Sequence, residues 1–272
     1  MYNFIENKNT DGVVFFTIPS FEKTKLVKHG FSSKIGGVSK GSYESLNLGF
    51  KTNDLKENVE NNYKKITKAL DLSIQNLVFS DQVHKDHIKI VTKKDCGKGI
   101  IKESDIKEID ALITNEKNVA LTTVFADCVP IFLLDPVKKV IALAHAGWRG
   151  TALKIAKKTV EKMIQVYQTN PKDCLAAIGP SIGRCCYEVD EGVIKEFNKE
   201  FTNVDEFVFS KGNGKYMLDL WKANQSTLKE IGLLERNITI SNICSMCNSE
   251  IFFSYRKDEG ITGRMAAIIE LE

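Results

Sequence analysis

Apolar residues along this chain gather in short runs, set apart by turn residues and by longer stretches with helical spacing. Runs rich in β-branched and aromatic residues at 13–18 (VVFFTI), 77–80 (LVFS), 88–92 (IKIVT), 119–125 (VALTTVF), 131–135 (IFLLD), 140–146 (VIALAHA), 174–179 (CLAAIG), 238–243 (ITISNI) and 265–271 (MAAIIEL) predict strands. Helical spacing predicts helices over 54–70, 151–168 and 219–232, the second carried by Leu153, Ile155, Ala156, Val160 and Ile164. Strands and helices are interspersed, so the class is mixed α/β (α+β). The loop PVKK at 136–139 is too short for a parallel crossover, which makes part of a sheet antiparallel. No repeat and no Pro- or Ser-rich linker divides the chain, and 272 residues is near the upper limit for one hydrophobic core. A single domain spanning 1–272 is expected.

The register of that hairpin matters, because chemically useful residues stand at its open end. Asp127 and Cys128 precede one strand; His145, Trp148 and Arg149 close the other. Pairing Asp135 with Val140 would set Cys128 opposite Gly147 if the ladder ran that far, and His145 lies two residues from Gly147 on the same face. Such diagonal neighbours are about 7–8 Å apart at the backbone, so both side chains can reach one atom. A slip of one residue would send them to opposite faces. Pro130 marks where the ladder should stop, just short of Cys128. His84, in FSDQVHKDHIKIV, shares the parity of Ile88 and Ile90 and follows a strand, whereas His87 has the opposite parity.

Composition narrows the classes. Lys and Arg exceed Asp and Glu by three and are spread along the chain, without the clustered basic face of a nucleic-acid binder. No stretch approaches the roughly 18 apolar residues of a membrane span, and the start MYNFIENKNTDG has no secretory pattern, so a cytoplasmic protein is expected. Seven cysteines, an odd number, argue against a disulfide framework and direct attention to thiol chemistry or metal ligation. Only four histidines are present. The number of subunits is not readable.

One Cys and two His would give zinc three protein ligands and an open fourth position, as in catalytic zinc sites. The same Cys128 and His145 also suit a nucleophile and base, with Asp127 or another carboxylate orienting the imidazole. Copper is a third occupant for such a set, but four histidines cannot furnish several copper centres. Cys244 and Cys247 in ICSMCN have zinc-ribbon spacing without a second CxxC, and read as loop-facing or buried thiols. RGT at 149–151 opens a helix whose first amides can seat an anion, with Arg149 beside it. Arg256 and Arg264, around a Gly turn, read either as a solvated hairpin or as charge supplied to a phosphate.

Several separated motifs then stand in order: GFSSKIGGVSKGSYESLNLGF at 30–50, QVH at 82–84, ADCVPI at 126–131, HAGWRGT at 145–151, IGPSIGRCCYEV at 178–189 and FSYRKDEGITGR at 253–264. Together they resemble the laccase-domain, or polyphenol-oxidase-like, family, regarded as zinc-dependent purine nucleoside phosphorylases and, in some bacteria, as a peptidoglycan editing factor. The resemblance implies zinc on His84, Cys128 and His145, the trio that hairpin parity and ligand chemistry also favour. It implies phosphorolysis of adenosine, inosine, guanosine and methylthioadenosine, with adenosine deamination as a second activity. It further implies two mixed sheets packed face to face with helices outside, similar to a deamidating toxin that uses a Cys and a His; a cysteine-dependent amidase or hydrolase is therefore the rival reading. Cys128, Asp127 and Arg149 are the catalytic candidates, with Asp127 as proton shuttle. Asn47, Lys34 and Arg149 are the substrate-binding ones, and Lys34 stands where the family usually has Arg, a point charge in place of a bidentate fork.

Overall fold

The computed structural model describes residues 3–272. Two six-stranded mixed sheets pack face to face, as expected, and a small three-stranded sheet adds to them. In spatial order the first sheet is Ile5–Lys8, Val14–Thr17, Val27–Ser32, Met265–Leu271, Ala120–Phe125 and Leu77–Phe79. The second is Ile238–Ile240, Leu175–Ile178, Val129–Asp135, Val140–Ala146, Ala111–Thr114 and Ile88–Ile90. Among the described residues no helix is long and apolar enough to cross a membrane.

The period-two alternation of a strand explains how the apolar runs are used. Phe132, Leu134, Ile141 and Leu143 point into the core between the sheets, where they meet Phe31, Leu121, Phe125, Ala267 and Ile269. Their neighbours Ile131, Leu133, Ala142 and Ala144 point the other way, beneath the helices Ile155–Tyr167 and Leu220–Glu230. On the opposite flank Ala120, Ala266 and Ile268 lie beneath Lys56–Ala69 through Val59, Tyr63 and Ile66. The result is four layers, helix, sheet, sheet, helix. Central strands buried on both faces must be apolar at nearly every position, and each large side chain so buried contributes roughly 1.5–3 kcal/mol.

The hairpin has the expected register. Asp135 pairs with Val140, and the ladder continues through Pro130 opposite His145 to Val129 opposite Ala146, one residue short of Cys128. The amides of Val137 and Lys138 donate to the Asp135 carboxylate, both at 2.9 Å, and close the turn. Topology then gathers the loops. Ala120–Phe125 leads from the first sheet directly into Val129–Asp135 of the second, and Leu77–Phe79, parallel to Ala120–Phe125, also crosses to the second sheet. The segment 241–264 returns from the second sheet to the first. Pairing of Met265 with Phe125, Ile178 with Ile131 and Ile240 with Ile178 places all these crossings at one end of the sandwich.

Three features differ from expectation. The helix over 151–168 is two, Trp148–Ala152 and Ile155–Tyr167, because Lys154 adopts a left-handed φ of 57° and turns its ammonium to Glu230. Val27–Ser32 is a central strand although its polar and glycine residues break the apolar pattern. The third sheet, Glu188–Asp190, Lys215–Leu218 and Val208–Gly212, contains a hairpin whose turn Gly212-Asn213-Gly214 takes positive φ throughout, the geometry that favours Gly and Asn.

One buried group makes the sandwich sensitive to acid. The Ile18 amide donates to Nε2 of His29 at 2.8 Å, and burial, opposed by Glu22 and backbone contacts, lowers the imidazole pKa from 6.5 to about 4. Because the folded value is below the unfolded one, the stabilisation is complete above pH 6.5 and is lost as pH falls towards 4. A shift of this size corresponds to about 3 kcal/mol. His29→Gln keeps an acceptor for Ile18 but no titrating ring, so its urea-unfolding free energy should fall by roughly 3 kcal/mol less than the parent's over that range. Parallel pH profiles for the two proteins would refute this.

Candidate active site

The three predicted metal ligands reach the gathered end from three loops. Cys128 ends the crossing from Ala120–Phe125, His145 lies on Val140–Ala146 with its side chain on the inner-face parity of Ile141 and Leu143, and His84 stands in the crossing after Leu77–Phe79. Their donor atoms all lie within 4.8 Å of one another. The His84 and His145 rings meet edge to face at 4.8 Å, and Phe125 packs against His145 from the inter-sheet core. His145 is buried, Cys128 partly so and His84 exposed, so the cluster opens on the His84 side.

What holds this arrangement is Asp110, a residue without an assigned role in the sequence reading. Its fully buried carboxylate accepts the amides of Val83, His84 and Lys85 at 2.9–3.1 Å and Nδ1 of His145 at 2.8 Å, while its carbonyl accepts the His145 amide. The imidazole is therefore oriented by Asp110, not by Asp127. A carboxylate can only accept, so Nδ1 donates to it and Nε2 is the nitrogen turned towards Cys128 and His84. His84 is held at a left-handed φ of 61° by the same three amide bonds.

Electrostatics follow the geometry. Burial alone would push the Cys128 thiol up, but His145 and His84 beside it hold it below the ordinary thiol range. Burial opposes charge on His145, yet Cys128 and Asp110 raise its proton affinity. Burial acts likewise on Asp110, and its hydrogen bonds outweigh it and keep the carboxyl below its usual value.

These residues fit a metal ion. One thiolate and two imidazoles converge, one imidazole carries the outer carboxylate that metal-bound histidines usually have, and the space between them is kept clear. A Cβ at Gly147 would lie 3.0 Å from the His84 ring and 3.1 Å from the Cys128 sulfur. The other two histidines stand apart from this cluster: His29 accepts the Ile18 amide, and His87 faces the Glu108 carbonyl.

The cluster forms part of the wall of a cavity of about 680 Å³. Its walls are aromatic (Phe50, Phe79, Trp148, Tyr187, Tyr255) and cationic (Lys51, Lys107, Arg149, Arg256, Arg264). Arg149 lies over the Trp148 ring at 4.2 Å and Arg256 over Tyr187 at 5.1 Å. Asp127 also lines the cavity, at a φ of 77°; burial raises its carboxyl above the usual range although Ser245, Ser254 and the Arg256 amide donate to it. Arg149, Arg256 and Arg264 thus give the cavity wall positive charge.

Two predicted substrate contacts are not brought into the cavity. Asn47 is fully buried behind its wall, donating to Thr52 and Asp54 and accepting the amides of Gly49 and Arg264, so it shapes the loops that do line it. Lys34 donates to the Ser249 carbonyl at 2.5 Å and lies beside Phe253, in a separate surface depression. The position that departs from the family pattern therefore lies away from the main cavity.

Comparison with known proteins identifies the family and the fold. The family model described as multi-copper polyphenol oxidoreductase laccase matches residues 28–272. Among curated proteins, the purine nucleoside phosphorylase YlmD of Bacillus subtilis is 38% identical over 252 residues, 92% of this chain and 91% of the relative. YlmD of Geobacillus stearothermophilus, under the same description, is 39% identical over 88% of each. A crystal structure of the latter protein superposes with a TM-score of 0.92 over the whole of both chains at 35% identity, and Bacillus licheniformis YfiH gives 0.91 at 36% identity over 98% of this chain and 99% of that one. The chain belongs to the multi-copper polyphenol oxidoreductase laccase family, the laccase-domain family that its motifs resemble.

Proposed function

We propose that the protein is a zinc-dependent purine nucleoside phosphorylase, converting adenosine, inosine, guanosine and methylthioadenosine to base and sugar 1-phosphate, with adenosine deamination as a second activity of the same site. The observation that carries this reading is the convergence of His84, Cys128 and His145 in the wall of an aromatic and cationic cavity. The names of the similar phosphorylases support it.

The cavity suits both substrates. A purine is a flat apolar disc with polar edges, and Tyr187, Tyr255, Phe50 and Phe79 offer rings to stack on it. Inorganic phosphate is drawn by Arg149, Arg256 and Arg264, and the backbones of the last two are held by Asp127, which accepts the Arg256 amide, and Asn47, which accepts the Arg264 amide. Breaking the C–N bond builds positive charge on the sugar and negative charge on the departing base, so phosphate held against the sugar and a proton delivered to the base both lower the barrier. Asp127, the buried carboxyl in the cavity wall, is our choice for moving that proton, since burial raises its proton affinity. His84, Cys128 and His145 would hold a zinc ion, which would supply Lewis acidity to the cavity when bound. Asp110 keeps Nε2 of His145 free and aimed at the ligand cluster.

A second reading has its own observation. Asp110, His145 and Cys128 form an orienter, base and nucleophile in sequence, with the thiol acidified and the imidazole made more basic, which is the arrangement of a cysteine hydrolase or amidase.

Incubating the purified protein with adenosine, with and without inorganic phosphate, separates the readings. Phosphorolysis yields adenine and ribose 1-phosphate only when phosphate is present, deamination yields inosine, and both are expected to cease on chelation and in Cys128→Ala. An enzyme that survives chelation, dies on thiol alkylation and ignores nucleosides is the hydrolase. Asp110→Ala should weaken zinc binding about 10–100-fold by competition with a chelating dye, since it frees the His145 ring and releases the His84 loop. Unchanged affinity would remove Asp110 from the site.

A further inference from the structure

A second sulfur cluster stands outside the catalytic trio. Cys185 and Cys186 lie in the turn before Glu188–Asp190, and Cys244 and Cys247 in the loop after Ile238–Ile240; their four sulfurs lie within 4.8 Å of one another. Cys247 Sγ is 3.4 Å from both Cys185 Sγ and Cys186 Sγ. We propose that these four cysteines form a closed tetrathiolate site for one zinc ion, separate from the catalytic ligands.

Four sulfurs about 2.3 Å from a central zinc, at the corners of a tetrahedron, are about 3.8 Å apart. The two Cys247 separations of 3.4 Å lie a little below that value and no pair of sulfurs is more than 4.8 Å apart, and the two equal contacts of Cys247 suit a shared centre better than a bond to one partner. Cys244 Sγ already accepts the Gly183 amide at 3.2 Å and is approached by the Cys247 amide, the backbone donors that steady a thiolate ligand. A Cβ at Gly183 would press on Cys185 Sγ at 3.3 Å and Cys244 Cβ at 3.2 Å, so the bare glycine lets the two loops close. Soft thiolates select zinc-class ions over magnesium or calcium. Cys185 and Cys247 are exposed, which gives the ion a route in.

The consequence is structural control of the cavity. Tyr187 follows Cys186 and lines the cavity; Ser245 follows Cys244 and donates to Asp127 at 2.6 Å. An ion tying the two loops fixes both walls at once. A four-sulfur site leaves no position for water or substrate, so the role is to hold shape.

The test removes the catalytic site and counts what remains. In the full chain bearing Cys128→Ala and His145→Ala, elemental analysis and native mass spectrometry should still find one zinc per chain, and the parent one more. Replacing zinc by cobalt in that variant should give the intense thiolate-to-cobalt absorption of a four-sulfur site. Adding Cys247→Ser should abolish the remaining ion; Cys186→Ser, tested in parallel, should do the same, and circular dichroism shows whether each variant is folded. The proposal fails if folded cysteine variants keep the same metal content, if the catalytic-site variant binds no zinc or cobalt after reduction, or if peptide mapping finds Cys247 in a disulfide in freshly purified protein. Because the catalytic ligands are absent from the variant, none of these outcomes bears on the phosphorylase reading.

Discussion

The site depends on one buried carboxylate. Asp110 sits at the start of Ala111–Thr114 and binds the loop 83–85 through three amides and the His145 ring through a fourth donor. Left unpaired, a buried carboxylate would cost several kcal/mol; with four donors it instead fixes two ligands that are far apart in the chain. Neither His84, at a strained left-handed φ, nor the proton on His145 would stay in place without it. The other residues of the site are positioned relative to this anchor.

Topology explains why so many useful side chains meet. The strand-to-strand crossings at this end leave residues outside the ladders, from three at 126–128 to the long return 241–264, where backbone is free to bend and side chains can face an opening instead of a core. Cys128 and His84 lie on crossings, and Arg256 and Arg264 lie on the return from the second sheet to the first. Asp127 links two of these crossings, since it follows Ala120–Phe125 and accepts from Ser245, Ser254 and Arg256. Charge on the cavity-lining arginines is thereby tied to the segment that carries the Cys128 thiol.

Much of this was legible in the sequence, for physical reasons. Strands buried on both faces must be apolar throughout, so the central ones were visible; the short loop at 136–139 fixed the register, and register fixed the parity of Cys128 and His145. What hid from view was interaction between distant polar residues. Asp110 looks like an ordinary acidic residue before a strand, and only the fold shows four donors on it. Cys185 and Cys186 read as part of a turn because their partners are some sixty positions away, at Cys244 and Cys247. Asn47 and Lys34 sat in matching motifs, yet a motif does not say which way a side chain faces. The hairpin at Gly212-Asn213-Gly214 carried a usable turn signal that the weak apolar pattern around it obscured.

The position of His84 bears on whether the trio is a metal site or a nucleophile with its base. A thiolate and imidazolium oriented by a carboxylate need only Cys128, His145 and Asp110. A second imidazole against the first, at 4.8 Å between rings, adds nothing to that chemistry. Yet the loop is held in a left-handed conformation by three hydrogen bonds to put that ring there. Gly147 leaves open the space where the three donors meet, at the distance an added carbon would violate. A cation would account for both facts, since two adjacent imidazoles and a thiolate would then be partners around one positive charge.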